Sequence, residues 1–178
     1  HQYSTLCRQL AVILEHQRLN SESSDELQQL LQHHSIKLEF IDWVQISQMA
    51  GLMLKNALLR PPIIDHRIHS LPIETAHEIQ HRLLSSLNNS NPALYNVASS
   101  VIAAVAVNKD GLQPHFHVSN WTIISNLVET PSTGSLLTLS KLLLDGIDEI
   151  PISQLDYAIP VLIQLLFNDA HTNTHTNV

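Results

Sequence analysis

The sequence predicts an all-α protein, an α-solenoid of antiparallel helix pairs, on three observations. Aromatic residues make up only 4% of the chain and charged residues 14%, while the hydrophobic share is 44%. That balance favours leucine-rich helical seams over the Val-, Thr- and Tyr-rich strands of a sandwich or barrel. Apolar residues recur at intervals of three and four through one segment after another, the spacing of a single buried helix face. The breaks between these segments are short, and no alternating strand of convincing length intervenes.

The first segment, "STLCRQLAVILEHQR", puts Leu6, Leu10, Ile13 and Leu14 on one stripe. A polar hinge, "LNSESSDE", follows, and Ser24 or Asp25 is placed to cap a shorter helix, "ELQQLLQHHSI", from which "KLEFIDW" leads away. The next strong helix is "WVQISQMAGLMLKNALL", with Val44, Met49, Leu52, Leu54 and Leu58 and the small pair Ala50-Gly51 at its centre. Pro61-Pro62 stops it. After the polar connector "RPPIIDHRIHS" a helix runs from about Pro72 to Leu87, and Asn88 to Asn91 break it. Pro92 suits the first position of "PALYNVASSVIAAVAVN". "KDGLQPHFHVSN" reads as a loop, followed by "WTIISNLVE" and, after Thr130-Pro131, by "STGSLLTLSKLLLDGIDEI". Pro151 interrupts, and "ISQLDYAIPVLIQLLFN" closes the ordered part with Pro160 expected to kink its helix.

These helices fall into pairs. Three second members begin near Val44, Pro92 and Ser132, roughly forty to fifty residues apart, which is the period of HEAT-type hairpins. Such units stack, each burying its face on its neighbours. The chain is accordingly read over residues 1–178 as a fragment of a HEAT-repeat arch. A divergent hairpin covers 1–59, with an insertion near 20–43; further hairpins cover 71–108 and 118–147; residues 152–169 form the first helix of another repeat, and 170–178 a loop or disordered end.

Composition narrows the function. Four glycines (Gly51, Gly111, Gly134, Gly146) supply no phosphate loop or dinucleotide fingerprint. A formal net charge of −7 argues against a nucleic-acid surface and suits a basic partner better. Cys7 is the single cysteine, so no internal disulfide forms. No apolar run has the length of a membrane span. The chain therefore reads as soluble and intracellular. With His1 at its start and "HTNTHTNV" at its end, it is expected to be a piece of something longer.

One motif points elsewhere. Residues 77–81 read "HEIQH", the zinc signature in which two histidines one helical turn apart ligate the metal and the glutamate between them acts as general base. Such a site needs a third protein ligand, a His six residues beyond the second or a Glu about one helix further on. After His81 comes "RLLSSLNNSNP", with neither, and the next Glu after Glu78 is Glu129. The other histidine groups, "QHH", "DHRIH", "HFH" and "HTNTH", each offer two imidazoles on a loop or helix end. Cys7 in "TLCRQL" has Arg8 beside it but no oriented base, and the carboxylates are scattered. No catalytic, cofactor-binding or metal-ligating set is expected, and the chain is not expected to be an enzyme.

The helix "QISQMAGLMLKNAL" resembles the second helix of the second HEAT repeat in the importin-β (karyopherin-β) family, where a small-residue centre runs into a Gly-Leu-x-Leu-Lys-Asn string matched by Gly51, Leu52, Leu54, Lys55 and Asn56. Two more stretches are similar to the transportin branch of that family. "LQPHFHVSNWTIISNL" resembles the loop and first helix of its fourth repeat, through Leu112-Gln113 and Trp121, although Thr122 stands where the family usually has Pro. "LDYAIPVLIQLLF" resembles the next first helix, through Leu155, Ile159, Pro160, Gln164 and Leu165-Leu166. Between them, "TLSKLLLD" lines up through Leu139, Lys141 and Asp145. The resemblance spans nearly the whole chain, in the right order at about the right spacing. It departs in the long segment from about Asn20 to Trp43 and in the lack of a counterpart to the first repeat.

The resemblance implies nuclear import: an amino-terminal arch that binds the GTP form of the Ran GTPase through second helices on its inner face. Cargo carrying nuclear-localisation signals, and nucleoporins, would be bound through the full-length protein. It implies a monomer that shuttles between cytoplasm and nucleus, with no nucleic-acid or membrane partner and no cofactor. The inner-face helices would be about 44–58, 92–108 and 132–147, and Lys55, Asn56, Asn96, Ser99 and Lys141 are the residues on them expected to face Ran. Two alternatives stand beside it: a HEAT-repeat scaffold or adaptor unrelated to transport, and, more remotely, a zinc hydrolase built on "HEIQH".

Overall fold

A computed structural model describes residues 2–15, 42–64, 67–108, 110 and 112–172, with side chains placed as far as residue 164 apart from those of 64, 67 and 68. The predicted helix "ELQQLLQHHSI", its capping residues Ser24 and Asp25, and nearly all of the expected insertion lie outside the described residues, as do residues 173–178. The protein is all-helical: the described residues form seven α-helices, α1 (Gln2–Glu15), α2 (Trp43–Leu59), α3 (Ile73–Ser86), α4 (Pro92–Ala106), α5 (Ile123–Glu129), α6 (Thr133–Gly146) and α7 (Ile152–Thr172). Short 3-10 turns at Pro114–Phe116 and Ile147–Glu149 complete the helical elements.

Local signals set the helix starts. The Asp42 carboxylate accepts from the Val44 and Gln45 amides at 3.0 and 3.3 Å, satisfying two of the donors that an α2 N-terminus leaves free. Asn91 does the same for Ala93 at 3.0 Å, with Pro92 at the position where a missing N–H costs nothing. Ser132 caps α6 by accepting from the Ser135 amide at 3.0 Å. At the far end α7 begins just after Pro151 and runs as one helix through Pro160.

Two hydrogen bonds fix α1 and α2 as antiparallel. Tyr3 Oη donates to the Ala57 carbonyl at 2.8 Å and Ser47 Oγ to the Ile13 carbonyl at 3.0 Å, so the start of one helix meets the end of the other. Helix α3 then lies alongside α1 in the same direction: Arg8 donates to Thr75 Oγ1 at 3.1 Å and Arg82 to Glu15 at 2.8 Å. Helices α4 and α6 are also parallel, because Ser100 meets Lys141 and, further along both, Val107 meets Gly146. Helix α4 packs between α2 and α6, while α1 contacts α3, and α5 contacts α7. The helices thus form two layers, α1, α3, α5 and α7 in one and α2, α4 and α6 in the other.

One core runs between the layers. Leu10 and Leu14 of α1, Leu54 and Leu58 of α2, Ile79 and Leu83 of α3, Ala98, Val101 and Ile102 of α4, Ile124 and Leu127 of α5, and Leu142 of α6 are all buried in it. The described part of the segment read as a loop, 112–120, does more than connect: its Phe116 enters the core and meets Trp121, just beyond it, edge to face, their rings 5.9 Å apart at 87°. Gln113 ties this segment down, accepting from the Leu71 amide at 3.0 Å and donating to Tyr3 Oη at 3.1 Å. Gln80 holds its other side through the His115 carbonyl at 2.6 Å. The connector "RPPIIDHRIHS" contains a feature the sequence did not suggest, a two-residue antiparallel pairing of Ile63–Ile64 with Arg67–Ile68.

Candidate functional site

The second layer, α2, α4 and α6, has a surface facing away from the first. On α2 the buried arc Ser47, Ala50, Gly51, Leu54 and Leu58 turns inward, where Ser47 and Gly51 touch α1. The opposite arc exposes Met49 (59%), Leu52, Met53 and Asn56. Helix α6 exposes Leu136, Ser140 and Leu144 (80%) on its corresponding arc. Between them α4 offers Asn96 and the half-buried Ser100.

Two lysines stand at the seams. Lys55 is half-buried one turn beyond Gly51, where α2 approaches Val97 of α4. Lys141 reaches from α6 onto α4 and donates from Nζ to Ser100 Oγ at 2.8 Å, while that hydroxyl donates to the Asn96 carbonyl at 2.9 Å. The Lys141 ammonium is held below the ordinary lysine range, first by burial and then by the charge of Lys55, with Asp145 acting the other way. Lys55 makes no ion pair among the described residues. The face therefore carries two uncompensated or weakly compensated cations on a protein whose net charge is −7.

Of the five residues expected to meet a partner, Lys55, Asn56, Asn96 and Lys141 are at least partly accessible on this layer. Ser99 is not: it is fully buried, and its Oγ has no hydrogen-bond partner. Helix α4 is enclosed over a wide arc by α2, α3 and α6, so the inward turn of the helix takes in Ser99 along with Ala98 and Ile102. The serine on the accessible side is Ser100, four residues after Asn96 and hence on the same face. That spacing was the available signal for Ser100.

"HEIQH" lies in the other layer, on α3. His77 and His81 are exposed there, and the Glu78 carboxylate sits between Arg8 at 2.9 Å and Arg82 at 3.3 Å. Among the described residues no group of three or more His, Cys, Asp or Glu side chains is placed to hold a metal ion. Cys7 is buried in the core against Tyr3, and burial pushes its thiol up to about 11, far from a reactive thiolate. No described helix is long and apolar enough to cross a membrane.

Compared with protein families, curated proteins and solved structures, the chain matches none of them.

Proposed function

We propose that this chain is a stretch of HEAT-type α-solenoid that serves as a protein-docking arch of an importin-β-like, transportin-like nuclear import receptor, with the α2–α4–α6 face as the surface for the GTP form of Ran. The observation that carries the reading is the arrangement of that layer. The three helices expected to be second members of HEAT pairs lie side by side in one layer, and they bring Lys55, Asn56, Asn96 and Lys141 onto it. A layer of second helices lying side by side is what stacked hairpins produce, and the broad face that results suits a folded protein partner better than a small molecule. The importin-β-like string from Gly51 to Asn56 begins at the glycine whose bare Cα packs against Val97 of α4.

The test is a titration of the 178-residue chain with Ran loaded with a GTP analogue or with GDP. Selective binding of the GTP form is the expected outcome. Binding in neither state would leave a helical scaffold with some other partner.

A further inference from the structure

The exposed side of the second layer pairs two features that a soluble surface seldom keeps together. One is apolar: Met49, Leu52 and Met53 on α2 and Leu136 and Leu144 on α6 stand half-exposed or more. The other is cationic: Lys55 and Lys141 lie between those two rows, flanking α4, and Asp145 is the acidic group that acts on Lys141. Elsewhere Arg8 is paired with Glu78, and Arg82 with Glu15 and Glu78. The seam lysines are different, since nothing described neutralises Lys55, and Lys141 is bonded to a hydroxyl.

We propose that this face seats an amphipathic acidic segment of a partner protein, whose apolar side chains rest on Met49, Met53 and Leu136 and whose carboxylates meet Lys55 and Lys141 across α4.

Charge complementarity selects this occupant. A basic segment would place cations against two ammonium groups that already repel each other. A free anion would answer the lysines but leave the methionines and leucines in water, and methionine-rich surfaces accommodate varied apolar side chains because the thioether is flexible. An anionic membrane is a poorer fit, because recognition of an anionic lipid surface takes a cluster of about four to eight cations and this face offers the two seam lysines. Neighbouring packed helices lie about 8–10 Å apart, so a segment crossing α4 can contact both apolar rows. Two carboxylates one helical turn apart would sit on the same side of such a segment, facing the lysine pair. The inference takes from the proposed function only that the second-layer face is a docking face, and it does not require Ran as the partner.

The experiment uses the whole chain and two labelled helical peptides of about four turns, one with leucines on one face and Glu at i, i+4 beside them, the other with those Glu replaced by Lys. Fluorescence anisotropy at low and high salt reads binding. The acidic peptide is expected to bind, to weaken with salt, and to lose about tenfold in affinity for the Lys55→Glu/Lys141→Glu variant. The basic peptide is expected to prefer that variant over the unaltered chain. Because Lys141 is part of a packed seam, Lys55→Glu alone serves as the second variant, with far-UV circular dichroism checking that the helices persist; a part of the loss is expected there.

Equal binding of both peptides, binding of neither, or an affinity unchanged in the variants would overturn the proposal. So would self-association of the chain that disappears on Met49→Ser/Met53→Ser, which would assign the face to a second copy. The GTPase titration separates the two ideas. Ran binding that ignores both lysine substitutions, with no peptide bound, keeps the receptor reading and removes this one. Peptide binding without any Ran response does the reverse.

Discussion

At Gly134 an added Cβ would overlap the backbone carbonyl of Leu87 and lie 3.0 Å from its Cα. At Gly51 it would overlap a methyl of Val97 and approach Leu14 at 3.2 Å. The distinction decides what each substitution does. Alanine gains about 1 kcal/mol over glycine in a helix, while overpacking costs about 1–3 kcal/mol. Backbone cannot step aside, so Gly134→Ala is expected to lower stability by about 2 kcal/mol, with no side-chain truncation able to restore it. Val97 is stiff at χ1 but removable: Gly51→Ala is expected to destabilise the chain alone and to be close to neutral in a Val97→Ala background. Urea unfolding of the double-mutant cycle checks both. Cys7 adds a pH dependence. Its folded thiol titrates at about 11 against an ordinary 9.0, because burial disfavours the thiolate, and Tyr3 beside it is raised too, again chiefly by burial. The unfolded thiol releases its proton first, so this contribution is complete below about pH 9 and is lost as pH rises towards 11. Stability measured across that window should fall less steeply in Cys7→Ala.

Among the elements, α1 and α3 are joined by a charge cluster as well as by apolar packing. Glu15 is buried, and Arg82 reaches it at 2.8 Å while holding Glu78 at 3.3 Å. The two ends of this contact are not equivalent. Arg82→Met leaves a buried carboxylate without its counter-charge, and the expected cost is about 3 kcal/mol. Glu15→Gln keeps an acceptor for Arg82, which still has Glu78, and the expected cost is about 1 kcal/mol. Chemical denaturation of the two variants should show that order, and the reverse order would mean that the ion pair does not hold these helices together. Gln113 performs the equivalent task for the 112–120 segment, since its side-chain amide joins α1, through Tyr3, to the backbone that leads into α3 at Leu71.

The whole molecule has two differently equipped sides. The α3 side carries the exposed histidines and an ion-pair cluster, and the α2–α4–α6 side carries the methionines, leucines and seam lysines. If "HEIQH" is an ordinary solvated helix face, His77→Ala/His81→Ala should change stability by no more than about 0.5 kcal/mol, and the purified chain should hold no stoichiometric zinc by elemental analysis. One tightly bound zinc lost in that variant would reopen a hydrolase reading. On the opposite side, selective binding of the GTP form of Ran is the outcome that the proposed function requires.

The sequence by itself determined the helical class and most helix boundaries. Helix α2 occupies the segment its pattern marked, because Asp42 satisfies its first amides and Pro61-Pro62 follow its end; α4 starts at Pro92 and α7 just after Pro151 for similarly local reasons. Such signals act within a few residues and can be read along the chain. What only the tertiary structure decided is which arc of each helix is left uncovered. Ser99 is buried while Ser100 takes Lys141, because α4 is enclosed by helices whose contacting residues lie some forty positions away, as Lys141 does. The burial of Phe116 within an apparent loop has the same origin, in hydrogen bonds that tie its segment to Gln80, Leu71 and Tyr3. Periodicity counts the apolar residues on a helix, but the neighbours that surround it set how wide the buried arc is.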